Sequence, residues 1–144
     1  MSWSSWRERW GRWTGKVEAI HLRTGRHGES AARKYLCRHG LKFLAANFKG
    51  KRGEVDLIFR DADCLVFVEV KTRSAKSWTR PAAAVKAGKR NRISLTALAY
   101  LRELREPRVR IRFDIVEVLM EDNQVIEIRH LPNTFHLSPP YSFG

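Results

Sequence analysis

The stretch Gly53–Arg73, G-E-V-D-L-I-F-R-D-A-D-C-L-V-F-V-E-V-K-T-R, constrains the fold more than any other part of this chain. Two apolar runs flank a short polar turn, which reads as a pair of neighbouring β-strands. The second run, L-V-F-V-E-V, is apolar on both faces until Glu69, the pattern of a central strand covered on both sides. Residues two apart on a strand share a face, so Glu69 and Lys71 project together while Val68 and Val70 project to the other side. With Asp56 facing the same way on the first strand, two carboxylates and one ammonium converge on a single point.

The rest of the chain builds an α/β domain around that pair. Glu29–His39 reads as a helix burying Ala31, Ala32, Tyr35 and Leu36, with Gly40 as its stop. Leu41–Phe48, Val55–Arg60 and Cys64–Lys71 read as three strands, the first ending in the turn G-K-R-G. A long helix covers Lys86–Leu104, with Ile93, Leu95, Ala97, Leu98, Tyr100 and Leu101 on its buried side and Pro107 beyond its end. Arg110–Leu119 alternates like a strand, and Val125–Leu131 reads as an edge strand. The order is α-β-β-β-α-β-β, which predicts a mixed β-sheet flanked by helices. Residues 1–24 form a Trp- and Arg-rich extension, 25–131 the domain, and 132–144 an irregular tail. In the extension Trp3, Trp6, Trp10 and Trp13 would make one stripe on a helix, with Arg7, Arg9 and Arg12 beside or opposite it and Gly11 interrupting the pattern.

Charge narrows the class of partner. The chain has 144 residues, with 28 Lys and Arg against 15 Asp and Glu, a net charge of +13. A polyanion is the default partner of such a chain. From Lys71 to Arg92 the cations Lys71, Arg73, Lys76, Arg80, Lys86, Lys89, Arg90 and Arg92 follow one another without an acidic residue. A positive surface therefore begins at the carboxylates. No apolar run approaches the ~20 residues that span a bilayer, so no integral membrane segment is expected. Cys37 and Cys64 lack a C-x-x-C partner and fit reduced residues of a cytoplasmic protein.

Glu-x-Lys alone is a weak motif, since a chain of this length contains it by chance about half the time. Its setting raises it: a charged pair at the end of an apolar strand is costly without a partner or a task. Hard oxygen ligands such as Asp56 and Glu69 suit Mg2+ or Mn2+, which keep several waters for reaction. Such a metal lowers the pKa of a bound water and neutralises charge on a scissile phosphate. Lys71 would orient or deprotonate the attacking water, or stabilise the transition state. Glu29 would add a third carboxylate, although an acid in a helix's first turn is also favourable without any site.

The segments H-G-E-S-A-A-R-K-Y-L, N-F-K-G-K-R-G-E-V-D-L-I, V-F-V-E-V-K-T-R, A-V-K-A-G-K-R-N-R-I and R-F-D-I-V, in this order, resemble the YraN-like family of small bacterial proteins from about Gly25 to Val118. That family looks like a branch of the restriction-endonuclease-like superfamily, related in fold to archaeal-type Holliday junction resolvases. The resemblance implies a nuclease core with Glu29, Asp56, Glu69 and Lys71 in the signature positions. The chain departs from the family in its Trp-rich extension and in Ser77-Trp78, where a Phe-Gly pair is frequent.

Three functions are therefore in view. The first is a Mg2+- or Mn2+-dependent endonuclease acting on DNA, branched or structured duplexes included, with a homodimer plausible by analogy with the resolvases. The second is a non-catalytic nucleic-acid-binding protein that keeps the fold. The third is a membrane-surface or partner-docking protein using the Trp stripe. Gly11–Lys16 is one residue short of a phosphate loop. His27-Gly28-Glu29 lacks the P-C-x-x-C of a zinc deaminase, and His21, His39, His130 and His136 read as scattered surface residues.

Overall fold

A computed structural model describes residues 23–74, 86–105 and 109–137 of the chain. The Trp-rich stripe, Lys76, Arg80 and Ser77-Trp78 lie outside the described residues, as does most of the C-terminal tail. The elements are α1 (Arg23–Arg38), β1 (Lys42–Lys49), β2 (Glu54–Asp61), β3 (Cys64–Ser74), α2 (Ala87–Glu103), β4 (Arg110–Glu121) and β5 (Gln124–Phe135). This is the α-β-β-β-α-β-β order that the hydrophobic patterning predicts.

The five strands form one mixed sheet in sequence order, β1-β2-β3-β4-β5. Every adjacent pair is antiparallel except β3 and β4, which run parallel from Cys64 opposite Arg110 to Ser74 opposite Met120. A parallel pair needs a crossover, and α2 lies in that connection. The sheet is covered on both faces. Ala32 and Leu36 of α1 pack with Leu57, Phe59, Val66, Val68, Val116 and Val118. On the other face Ile93, Ala97, Tyr100 and Leu101 of α2 pack with Val55, Ile58, Leu65, Phe67, Phe113 and Ile115. The alternation of Leu65 and Phe67 with Val66 and Val68 thus supplies two different cores from one central strand.

Two boundaries and one buried face differ most from the sequence pattern. Helix α1 begins six residues early, at Arg23 rather than Glu29, carrying Gly25 and Gly28 inside it. Gly28 is needed there: a Cβ added to it would stand 2.1 Å from Thr72 Oγ1. The helix therefore passes against the end of β3 at a residue that has no side chain. Strand β5 continues through Pro132 to Phe135 instead of stopping at Leu131. An edge strand tolerates this proline, and a bulge around Asn133, at φ 51°, absorbs the irregularity. In α2 the fully buried residues include Ser94 and Thr96, while Leu98 packs against the core partly buried and Leu95 is only partly buried, with the Thr96 hydroxyl donating to the Arg92 carbonyl at 2.8 Å.

Candidate functional site

The site forms where β2 and β3 part. Their ladder runs from Asp61 opposite Cys64 to Leu57 opposite Val68 and goes no further. Beyond it the Val70 N–H donates to Asp56 Oδ2 at 2.8 Å instead of to a backbone carbonyl. Asp56 reaches that position because its strand changes face there. Val55 packs on the α2 side and Leu57 on the α1 side, although residues two apart ordinarily share a face. Opposite this step on β1, Asn47 adopts φ 53°, between the register pairs Ala46–Leu57 and Phe48–Val55. The expectation that Asp56 simply faces Glu69 across a flat pair is thus modified. Asp56 points into the fork between the strands.

Glu69 and Lys71 keep the strand alternation and lie on the α2 side of β3. Glu69 is 7% exposed, and its carboxylate forms an ion pair with the ammonium of Lys89 in the first turn of α2. Burial, and next the charge of Glu69, push the Asp56 carboxyl up to about 8, against the opposing effect of the Val70 hydrogen bond; Glu29 adds in the same direction. The structure accordingly brings Asp56 and Glu69 together and sets Glu29 within electrostatic reach. The close passage of Gly28 over Thr72 explains how α1 delivers Glu29 to this end of the sheet.

Two crowded carboxylates, one held protonated by the other and by burial, are a donor set that a divalent cation relieves. They fit magnesium or manganese, which is commonly held by one or two carboxylates and retains waters. Among the described residues no three His, Cys, Asp or Glu side chains are gathered closely enough to form a finished metal cage.

The predicted nucleic-acid residues divide in two. Arg73 is on the α2 side of β3, two residues past Lys71. Lys86, Lys89, Arg90 and Arg92 cluster at the start of α2, whose first turn holds no acid and whose N-cap Lys86 makes no side-chain capping bond. A helix start of this kind favours anions. Lys89 differs from the expectation in one respect: its side chain is partly exposed, but its ammonium is engaged by Glu69.

Two groups escaped the sequence reading. Glu117 of β4 is fully buried, in register with Lys71 on one side and Arg129 on the other. Both of its oxygens lack a hydrogen-bond partner among the described residues. It lies on the same face as Glu69 and Lys71, yet in the sequence it belongs to an acid-rich stretch with no motif. The other group is Asp114, also fully buried, which accepts from Arg112 Nε and Nη2 at 2.9 and 3.1 Å and from the Asn133 N–H at 2.9 Å, and pairs with His130 Nε2 at 2.7 Å. Burial alone would raise its carboxyl, but the His130, Arg112 and Asn133 bonds outweigh that and hold it below the usual range. His130 is therefore a partly buried structural residue, not a surface histidine. The Arg112-x-Asp114 spacing, which repeats the two-residue logic of Glu69-x-Lys71, was the available signal.

A three-layer domain with paired carboxylates at a strand fork and a basic helix start beside them defines the class of this molecule. Residues 28–118 match the model of the uncharacterised protein family UPF0102, and this span contains Glu29, Asp56, Glu69, Lys71, Lys89 and Glu117. A UPF0102 protein of Rhodococcus opacus (strain B4) is 40% identical over 117 residues, covering 81% of this chain and 99% of its own length. One from Nocardia farcinica (strain IFM 10152) is 44% identical over 111 residues, 77% of this chain and 87% of its own. One from Geobacter metallireducens (strain ATCC 53774 / DSM 7210 / GS-15) is 40% identical over 114 residues, 79% and 93%. The chain belongs to the UPF0102 family. Among the described residues no helix is long and apolar enough to cross a membrane.

Proposed function

We propose that this chain is a metal-dependent endonuclease that hydrolyses phosphodiester bonds in DNA, with branched or otherwise structured duplexes as its substrate class. The observation that carries the reading is the pairing of Asp56 with Glu69 at the β2–β3 fork, with Lys71 two residues further along the same face. Asp56 and Glu69 would hold Mg2+ or Mn2+, with Glu29 adding negative charge from within electrostatic reach. Such an ion supplies charge neutralisation at the scissile phosphate and a more acidic water. Lys71 positions or deprotonates the attacking water, or stabilises the charge that develops on the phosphate oxygens. The water adds to phosphorus, the bond from phosphorus to the leaving ester oxygen breaks, and that oxygen takes up a proton. Arg73, Lys86, Arg90 and Arg92, together with Lys76 and Arg80, would follow the sugar-phosphate backbone. A four-way junction has two-fold symmetry, which a homodimer would match.

A nucleic-acid-binding protein that does not cleave is the second reading. The Glu69–Lys89 ion pair favours it, because Glu69 already has a cation. A panel of linear, flapped and four-way DNAs with Mg2+ or Mn2+ separates the two. The nuclease reading expects metal-dependent cuts that Glu69→Ala and Lys71→Ala abolish. Steeply salt-dependent binding with no cut on any substrate would establish the second reading. Equal cutting by parent and variants would refute the site assignment.

A further inference from the structure

We propose that Lys89 is a built-in competitor for the metal position at Glu69, and that its displacement couples metal binding to capture of a nucleic-acid phosphate. The inference rests on the reading of Asp56 and Glu69 as the metal carboxylates. It starts from an asymmetry in the ion pair: the Glu69 side chain is 7% exposed, whereas that of Lys89 is 46% exposed. Glu69 sits on a central strand and cannot move away. A buried carboxylate there needs a counter-charge, and losing one is expensive. Lys89 reaches in from solvent on a flexible four-carbon stem and can swing out by rotating its own side chain.

A second, independent feature concerns where Lys89 stands when it leaves. It lies in the first turn of α2, where the helix dipole disfavours a cation, and no acid is present in that turn to compensate. Glu69 provides the compensation in the resting chain. Once a divalent ion takes Glu69, the ammonium is left beside Lys86, Arg90 and Arg92 at a helix start with no side-chain cap. A phosphate is the kind of group that an uncapped helix start with cations beside it attracts. Metal and nucleic acid therefore favour the same rearranged state, and each raises the affinity for the other. Without nucleic acid the site prefers its internal ammonium, which guards against unproductive metal loading.

The test is calorimetric titration of Mn2+ into the full chain and its variants, without nucleic acid and then with a short duplex carrying uncleavable phosphorothioate linkages. Lys89→Gln is expected to bind Mn2+ about ten-fold more tightly than the parent without DNA. The Glu69→Gln/Lys89→Gln double variant should lose that gain. Lys89→Arg keeps the charge and controls for folding; it should bind Mn2+ no more tightly than the parent. The duplex should tighten Mn2+ binding to the parent, and Lys89→Gln should lose most of that coupling. Unchanged or weaker Mn2+ binding in a folded Lys89→Gln, with Glu69→Gln still lowering affinity, overturns the competition and leaves the metal site standing. Absence of Mn2+ binding in the parent and in Lys89→Gln alike, with or without the duplex, overturns both.

Discussion

Replacing Asp56 by Asn should change how the domain's stability depends on pH. The parent's Asp56 carboxyl is pushed up to about 8 from 3.8, chiefly by burial and then by Glu69. Between those two values the folded chain keeps a proton that the unfolded chain has released, so unfolding releases a proton and stability falls as pH rises. The contribution is fully present below about pH 4 and is lost by about pH 8. A shift of about four units at 1.36 kcal/mol each sets a ceiling of about 6 kcal/mol. Water entry and side-chain relaxation near the fork reduce this, and about 2–4 kcal/mol is the expected difference. Asn is neutral at every pH, and its side-chain oxygen can still accept from the Val70 N–H. Urea or thermal melts without divalent ions should therefore show parent and Asp56→Asn nearly equal at about pH 4 and diverging steadily above it. At pH 8.5 the variant should be the more stable, by roughly 6–16 °C in Tm at about 3–4 °C per kcal/mol. Magnesium or manganese should narrow that gap by stabilising the parent alone. Parallel pH curves for the two proteins would refute the crowded-carboxylate account of the fork.

Other consequences are as direct. Gly28→Ala places a Cβ against Thr72 Oγ1; overpacking of about 1–3 kcal/mol against about 1 kcal/mol of helix propensity gives a net loss, which adding Thr72→Ala should reverse in thermal melts. Asp114→Ala removes the shared partner of Arg112, His130 and the β5 bulge, and should cost about 3–5 kcal/mol in denaturant titrations at neutral pH. Because the Asp114 carboxyl is held below its usual range, its contribution is present at neutral pH and disappears as the solution is acidified. The penalty of Asp114→Ala should therefore shrink at low pH. Arg90→Ala and Arg92→Ala should weaken DNA binding similarly on all sequences, each lowering the slope of log affinity against log salt by about one in binding titrations.

The architecture was legible where side-chain period decided it. L-V-F-V-E-V declares a strand buried on both faces, and β3 is the central strand between two cores. Glu69 and Lys71 follow from the same period of two. Asp56 was legible as a residue but not as a geometry, because its orientation depends on Asn47, a partner on another strand in the left-handed region. The engagement of Lys89 was hidden for a related reason. A cation in a run of cations looks solvated, and only tertiary packing of α2 over the sheet brings it to Glu69. Glu117 was invisible because a buried carboxylate has the same letter as an exposed one, and Asp114 was marked only by its two-residue spacing from Arg112. Their burial comes from the long parallel register of β3 with β4, which no local pattern encodes.

The central claim is that the fork residues act on a phosphodiester. Single-turnover cleavage of a four-way DNA junction, at protein concentrations that saturate it, tests this most directly. In Mg2+ or Mn2+ the parent should cut, and Lys71→Ala should slow the chemical step by at least about 100-fold. Its affinity for the same junction should stay within a few-fold of the parent's. A saturated junction that the parent leaves intact, or that Lys71→Ala cuts at the parent's rate, would contradict the account.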